Sequence, residues 1–355
     1  MTLTEDDLRA AAAAGIIDES QAARLTSLAH SRAGRLAQGL AEDEPFELFR
    51  GFAEIFISVG LVLLLAGAAL LATATQSMPV VAAVIAACSW LGALYFTRRR
   101  RMTLPSIVLV IGFGQAVGLL SIWVLSVIGV PDDSGLTIVF LGLIGIAAML
   151  LHYRVFRVPF SMFLAGVYGL GVVFGITGAV TAADTSMQEL ADVFDLRRGG
   201  GLAIGTLVFG SLALVAAMWF DIRDPHRLGR MARSAFWLHL LAAPALVNTF
   251  AMTAYNIGGS AGMALTIGAL ILITGFALII DRRSFLTAGL VYLGLVVAWA
   301  MRLGEGELSL PLMLLVLGAI VTYLGSTWVS LRVGLMRILP DFPGKNRLPP
   351  YSEAS

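Results

Sequence analysis

The run Arg98-Arg99-Arg100-Arg101 sits between two long apolar stretches, 78–97 and 104–130, and how it is read decides how the rest of the chain is threaded. Four consecutive cations are rejected by hydrocarbon, and short cytoplasmic loops collect Arg and Lys, so the cluster marks the cytoplasmic face. The composition agrees: 58% of the 355 residues are hydrophobic, 13% are charged, and mean hydropathy is +0.87. Soluble domains carry about 25% charged residues. The bilayer is therefore the first partner the sequence implies.

Moving outward from the cluster, segments long enough to cross a ~30 Å hydrocarbon core fall at Phe52–Thr75, Met78–Thr97, Leu104–Val130, Gly135–Tyr153 and Pro159–Ala183. Five more follow at Gly201–Phe220, Ala235–Tyr255, Gly259–Ile280, Ser284–Met301 and Leu310–Leu331. Ten crossings place both chain ends in the cytoplasm, and of the 24 Arg and Lys only Arg197, Arg198 and Arg302 then lie on the far side. The expected fold is an all-α polytopic transmembrane bundle with a small helical domain at 1–51, the bundle at 52–331 and a cytoplasmic tail at 332–355. The first span reads as an uncleaved signal anchor, because the residues before it are polar.

Within 1–51, Thr4-Glu5-Asp6-Asp7 opens one helix as a capping box and Gly15 stops it. Asp18-Glu19-Ser20-Gln21 opens a second helix. Two short helices bury too little to stand alone, so this segment is expected to dock on itself, on the membrane or on a protein partner. Phe46, Phe49, Phe52 and Phe56 form a stripe leading into the first span. It reads as a packing stripe, with an interfacial helix as the alternative. Across the outer loop, Met187, Leu190, Ala191 and Phe194 keep helical spacing, with Glu189, Asp192 and Asp195 on the polar side.

Ionisable residues at membrane depth are functional candidates by default. Glu54 and His239 each sit about one turn inside the cytoplasmic end of a span, so a hydrogen-bonded Glu54–His239 proton site is the sharpest expectation. Local readings compete with it: Glu54 reaching the headgroups, and His239 bonded to a backbone carbonyl. Gln115 and Asn248 are secondary polar candidates, read as interhelical glue. Pro244 is expected to kink its span. Glycine pairs seven apart (60/67, 171/178, 268/275, 318/325) read as close-packing faces. Arg98, Arg99, Arg100 and Arg101 are assigned to lipid headgroups and topology, and the four arginines of Asp221–Ser234 to the same chemistry.

No P-loop, dinucleotide fingerprint, metal-ligand helix or acyl-transfer elbow is present. Cys88 is the lone cysteine, so neither an internal disulfide nor a Cys-based metal site arises. No cofactor, metal or nucleic acid is expected, and the chain does not read as an enzyme. With Ala14-Gly15-Ile16-Ile17-Asp18, Gln21-Ala22-Ala23, the glycine-rich first span, the segment Ala235–Pro244, Asp281-Arg282-Arg283 and Arg347-Leu348-Pro349-Pro350 in view, the chain resembles a group of uncharacterised bacterial predicted membrane proteins. That group carries an amino-terminal domain of unknown function (number 2157 type), and the resemblance implies a multi-pass protein of the bacterial inner membrane. The first functional expectation is a non-enzymatic membrane protein with a cytoplasmic docking or regulatory domain. The alternatives are a secondary transporter of a small neutral or apolar solute, built from inverted five-span halves, and a lipid-handling or membrane-sensing protein whose sign would be a groove open to the bilayer.

Overall fold

The computed structural model describes residues 51–130, 135–177, 194–198, 200–224, 227, 230–285, 288–290, 293–294 and 309–349, together with positions 8, 11, 14–18, 21 and 25. Contacts divide the chain into two units, Met1–Asp43 and Glu44–Ser355. In the first unit the Ile16 amide donates to the Ala11 carbonyl at 3.0 Å and Gly15 has φ +69°. This is the left-handed stop that glycine adopts without a Cβ penalty. The Asp18 amide donates to Gln21 Oε1 at 3.0 Å and the Gln21 amide to Asp18 Oδ1 at 2.7 Å, a reciprocal capping box at the stretch read as opening the second helix. The box expected at Thr4–Asp7 lies outside the described residues.

The second unit is helical throughout its described elements, with no strand among the described residues. Its helices are α1 (Phe52–Thr73), α2 (Met78–Gly92, continued by a π-helical turn Ala93–Arg99), α3 (Thr103–Val127), α4 (Gly135–Phe156) and α5 (Phe160–Thr177). Beyond the long loop come α6 (Gly200–Asp221), α7 (Arg230–Asn256), α8 (Gly259–Ile280) and α9 (Ser309–Ile338). Among the described residues nine helices are long and apolar enough to cross a membrane, so the chain is an integral, multi-pass helical membrane protein. The expected ninth span, Ser284–Met301, falls mostly outside the described residues, although Ser284, Phe285, 288–290 and 293–294 are helical. The helix α9 does not end at Leu331 as expected but runs on to Ile338, so Arg332 lies inside a helix, buried, and not in a tail.

One end of this unit gathers the starts of α1, α3, α5 and α7 with the ends of α2, α4, α6, α8 and α9. It also carries Arg98–Arg101 and is called the arginine end below. One core joins Leu61 and Leu65 of α1 to Leu109, Val110, Met149 and Phe156. A second joins Val247 and Ala251 of α7 to Ala277, Ile280, Phe285 and Trp328. Between them α5 packs on both α6 and α7. Smaller buried clusters join α5, α6 and α7, and many other apolar side chains face outward, as Leu63 (68% exposed), Leu272 (75%) and Leu315 (69%) do. Hydrocarbon makes that exposure inexpensive.

The tightest seam is α4 against α5. A Cβ on Gly145 would stand 2.2–2.4 Å from the Tyr168 ring, and one on Gly175 would stand 2.6 Å from the Gly135 carbonyl. Only hydrogen fits there. The glycines singled out by seven-residue spacing behave otherwise: at Gly60, Gly67, Gly268, Gly275, Gly318 and Gly325 an added Cβ meets nothing within 4 Å. Among the described residues nothing covers those faces, which departs from the packing expectation for them. Phe52 and Phe56 also point outward, at 70% and 66% exposure, in edge contact with each other and not with the bundle; Phe46 and Phe49 lie outside the described residues.

Candidate functional site

The arginine end holds a buried ion network built from the residues that terminate α6 and α8. Asp221 closes α6, and both of its oxygens are engaged: Arg282 reaches Oδ1 through Nη2 and Oδ2 through Nε at 3.2 Å, while His239 Nε2 of α7 lies 2.8 Å from Oδ2. Two parallel N–H groups on one carboxylate form the strongest common protein ion pair. His239 Nδ1 is buried with no hydrogen-bond partner, so the tautomer with hydrogen on Nε2 leaves no ring donor unsatisfied. Arg282 and His239 are wholly buried.

Asp281 builds the other half. It caps α8 in the left-handed conformation, φ 56°, ψ 51°, which an aspartate tolerates better than most residues. That geometry turns its carboxylate inward. Trp328 Nε1 of α9 donates to Oδ1 at 2.9 Å, and Arg227 Nη1 stands 3.0 Å from Oδ2. Arg227 Nη2 also donates to the Asp281 carbonyl and, at 3.3 Å, to that of Ile280. Arg332 Nε pairs with the Leu278 carbonyl at 3.1 Å and stands 3.7 Å from Asp281 Oδ1, and its Nη2 donates to the Pro349 carbonyl at 2.6 Å. The two carboxylates thus fasten α6, α7, α8, α9 and the segment after α9 into one block.

Two apolar grooves flank α8 and converge on Phe285. The first, about 710 Å³, is walled by α8, by Phe285, Gly289 and Leu293 of the segment that follows it, and by α9 from Ile320 to Ile338, with Gly275, Leu278 and Leu335 among the lining residues. The second, about 640 Å³, lies between α7 and α8 and is lined by Phe250, Leu265, Gly268 and Leu272. Hydroxyls are few in both, and those of Thr253 and Thr274 donate to carbonyls of their own helices at 2.7 and 2.8 Å. Gly268 and Gly275 are what leave the grooves wide.

The structure separates the two residues that equal depth had suggested as a pair. Glu54 is buried, but its Oε2 accepts the amides of Thr103 and Leu104, each at 3.2 Å. It thereby supplies the negative group that the start of α3 needs. No hydrogen bond joins it to His239, whose partner is Asp221. The physical reason is lateral: α1 packs on α2 and α3, whereas α7 packs on α5, α6 and α8. Gln115 is exposed on α3, and Asn248 is half-buried on α7, which continues through Pro244 as one helix. Arg98, Arg99, Arg100 and Arg101 are all exposed at the arginine end. Asp195, expected on a polar surface, is wholly buried, with Oδ1 accepting the Arg197 amide at 2.8 Å.

Sequence reasoning also missed His152. It is buried on α4, its Nδ1 is 2.9 Å from Ser161 Oγ of α5, and the rings of Trp90, Phe113 and Phe156 surround it. It couples the ends of α4 and α5 as Asp221 couples those of α6 and α7. The signal available was its place in an apolar run one turn before a loop. Compared with known protein families, curated proteins and solved structures, the chain matches none, so its own geometry carries the functional reading.

Proposed function

We propose that this membrane protein is a non-enzymatic, lipid-binding component of the bacterial inner membrane, with its arginine end in the cytoplasm and acyl chains lodged in the grooves beside α8. The observation that carries the reading is the pair of grooves themselves. Sites for polar solutes converge several hydrogen-bonding groups on the ligand. Here the walls are almost wholly aliphatic and aromatic: the side-chain hydroxyls are those of Ser330, Thr253 and Thr274, and the last two donate to their own helices. From Ile320 to Ile338 the first groove follows α9 for about 27 Å at the α-helical rise, nearly the depth of a hydrocarbon core. Both volumes fall within the roughly 300–1,000 Å³ of ordinary ligand sites. Wall residues such as Ile271 and Leu272 are 66% and 75% exposed, so a chain enters from the side. The resemblance noted in the sequence supports the location, and the separate unit Met1–Asp43 suits a docking role for a protein partner.

The test uses the full chain in nanodiscs with a phospholipid bearing a photoactivatable group on its acyl chain. Labelled peptides are expected to concentrate on α8 and α9. Gly275→Phe and Gly268→Phe should each lower labelling at its own groove, because among the described residues no atom lies within 4 Å of either missing Cβ and the new side chain projects into the groove. Labelling spread evenly over all lipid-facing helices, and unchanged by either substitution, would overturn the reading.

A further inference from the structure

We infer that α3 carries a self-association surface for a second copy of this chain, joined by reciprocal hydrogen bonds between the two Gln115 amides. The helix lines neither groove, so this stands apart from the lipid-binding reading. Gln115 lies twelve residues from each end of α3, about 18 Å at the α-helical rise. That is the middle of the membrane-crossing segment Thr103–Val127. Its side chain is exposed, and among the described residues no hydrogen bond engages its amide. Polar groups packed nearby are committed within the chain: the Tyr168 hydroxyl donates to the Gly114 carbonyl and Ser121 Oγ to the Val117 carbonyl, each at 2.7 Å. Hydrocarbon offers the amide no partner, and an unpaired polar group there is costly. From mid-membrane a glutamine side chain reaches neither interface.

The surroundings of Gln115 form an aliphatic strip. Ile111, four residues before it, is 37% exposed, and Ile122, seven after it, is 39% exposed. Those spacings put all three on one helix face. Either side of the strip is covered by the chain itself: a Cβ on Gly112 would meet Leu65 and Ser89, and one on Gly114 would meet Leu164 and Met149. Two copies inserted with the same sidedness meet about a twofold axis along the membrane normal, which brings identical residues to the same depth. A primary amide holds both donor and acceptor, so it is its own complement. In the pair, Nε2 of each Gln115 donates to Oε1 of the other. An acyl chain satisfies neither group. One polar residue in an otherwise apolar seam also fixes the register of the two helices.

The experiment counts subunits of the fluorescently labelled full-length protein by single-molecule photobleaching in liposomes, over a range of protein-to-lipid ratios. Wild type is expected to pass from monomer to dimer as density rises. Gln115→Leu should move the midpoint to about 5- to 30-fold higher density, and Gln115→Asn, which keeps a self-complementary amide, should stay near wild type. In a Cys88→Ser background, Ile122→Cys should form an interchain disulfide on oxidation, whereas Leu143→Cys, at a position 50% exposed on α4, should not. At densities where wild type is monomeric, the thermal midpoint of Gln115→Leu should not fall, because the amide serves no contact within its own chain. Wild type that stays monomeric at every density would overturn the inference. So would dimers indifferent to Gln115→Leu, or a Leu143→Cys disulfide that forms as readily as that of Ile122→Cys. A lowered thermal midpoint for monomeric Gln115→Leu would also overturn it, by assigning the amide to the chain's own fold.

Discussion

Asp221 has a carboxylate that cannot be satisfied by its own helix, because at the end of α6 the neighbouring backbone groups are carbonyls and repel it. Arg282 and His239 answer that need from two other elements. Removing the charge with Asp221→Asn strands the buried Arg282 guanidinium, and breaking a buried pair from one side costs about 3–5 kcal/mol. The expected outcome is a clear fall in the thermal midpoint in detergent, with Glu54→Gln falling less because the amide can still accept one of the two α3 amides. Little of this was legible beforehand. His239 stood out as an ionisable residue in an apolar run, but its partner was misassigned. Depth along a span is readable from chain position; the direction a side chain faces and the helix it meets are not. Asp221, Asp281 and Arg282 looked like ordinary loop charges because each sits within two residues of a helix end, and burial there depends on how neighbouring ends converge.

At the scale of the element, glycine shows the same limit. A seven-residue spacing correctly puts two residues on one face, yet nothing in it says whether another helix covers that face. Gly145 and Gly175 carry the seam without such spacing. Gly145→Ala is expected to destabilise by about 1–3 kcal/mol as overpacking does, since Tyr168 must shift and its 2.7 Å bond to the Gly114 carbonyl is put at risk. Gly60→Ala, open on α1, should be neutral or stabilising by up to about 1 kcal/mol from helix propensity alone. Thermal midpoints of the two variants, measured side by side, separate the seam from the open faces. The short signals fared better: the Gly15 stop and the helix opening at Asp18–Gln21 were read correctly because both partners of each motif lie within five residues. Local chemistry fixed them without any tertiary contact.

For the molecule as a whole, apolar length and charge alternation carried the prediction, and the helical class with its first eight spans follows them closely. Four boundaries that moved, α2 to Arg99, α4 to Phe156, α7 back to Arg230 and α9 to Ile338, moved because arginines bounded the apolar count inside the helices. Sidedness is tested with single cysteines in a Cys88→Ser background. A membrane-impermeant thiol reagent added from the periplasm is expected to modify positions 77 and 258 and to spare positions 99 and 103. The reverse pattern would invert the whole assignment. The α4–α5 seam has one more consequence. Backbones that interlock through hydrogen atoms alone can neither slide nor rotate past each other, so this pair serves as the fixed beam of the protein. Any breathing that admits or releases a guest must then be borne by the outer halves of α8 and α9, away from the block that Asp221 and Asp281 fasten at the arginine end.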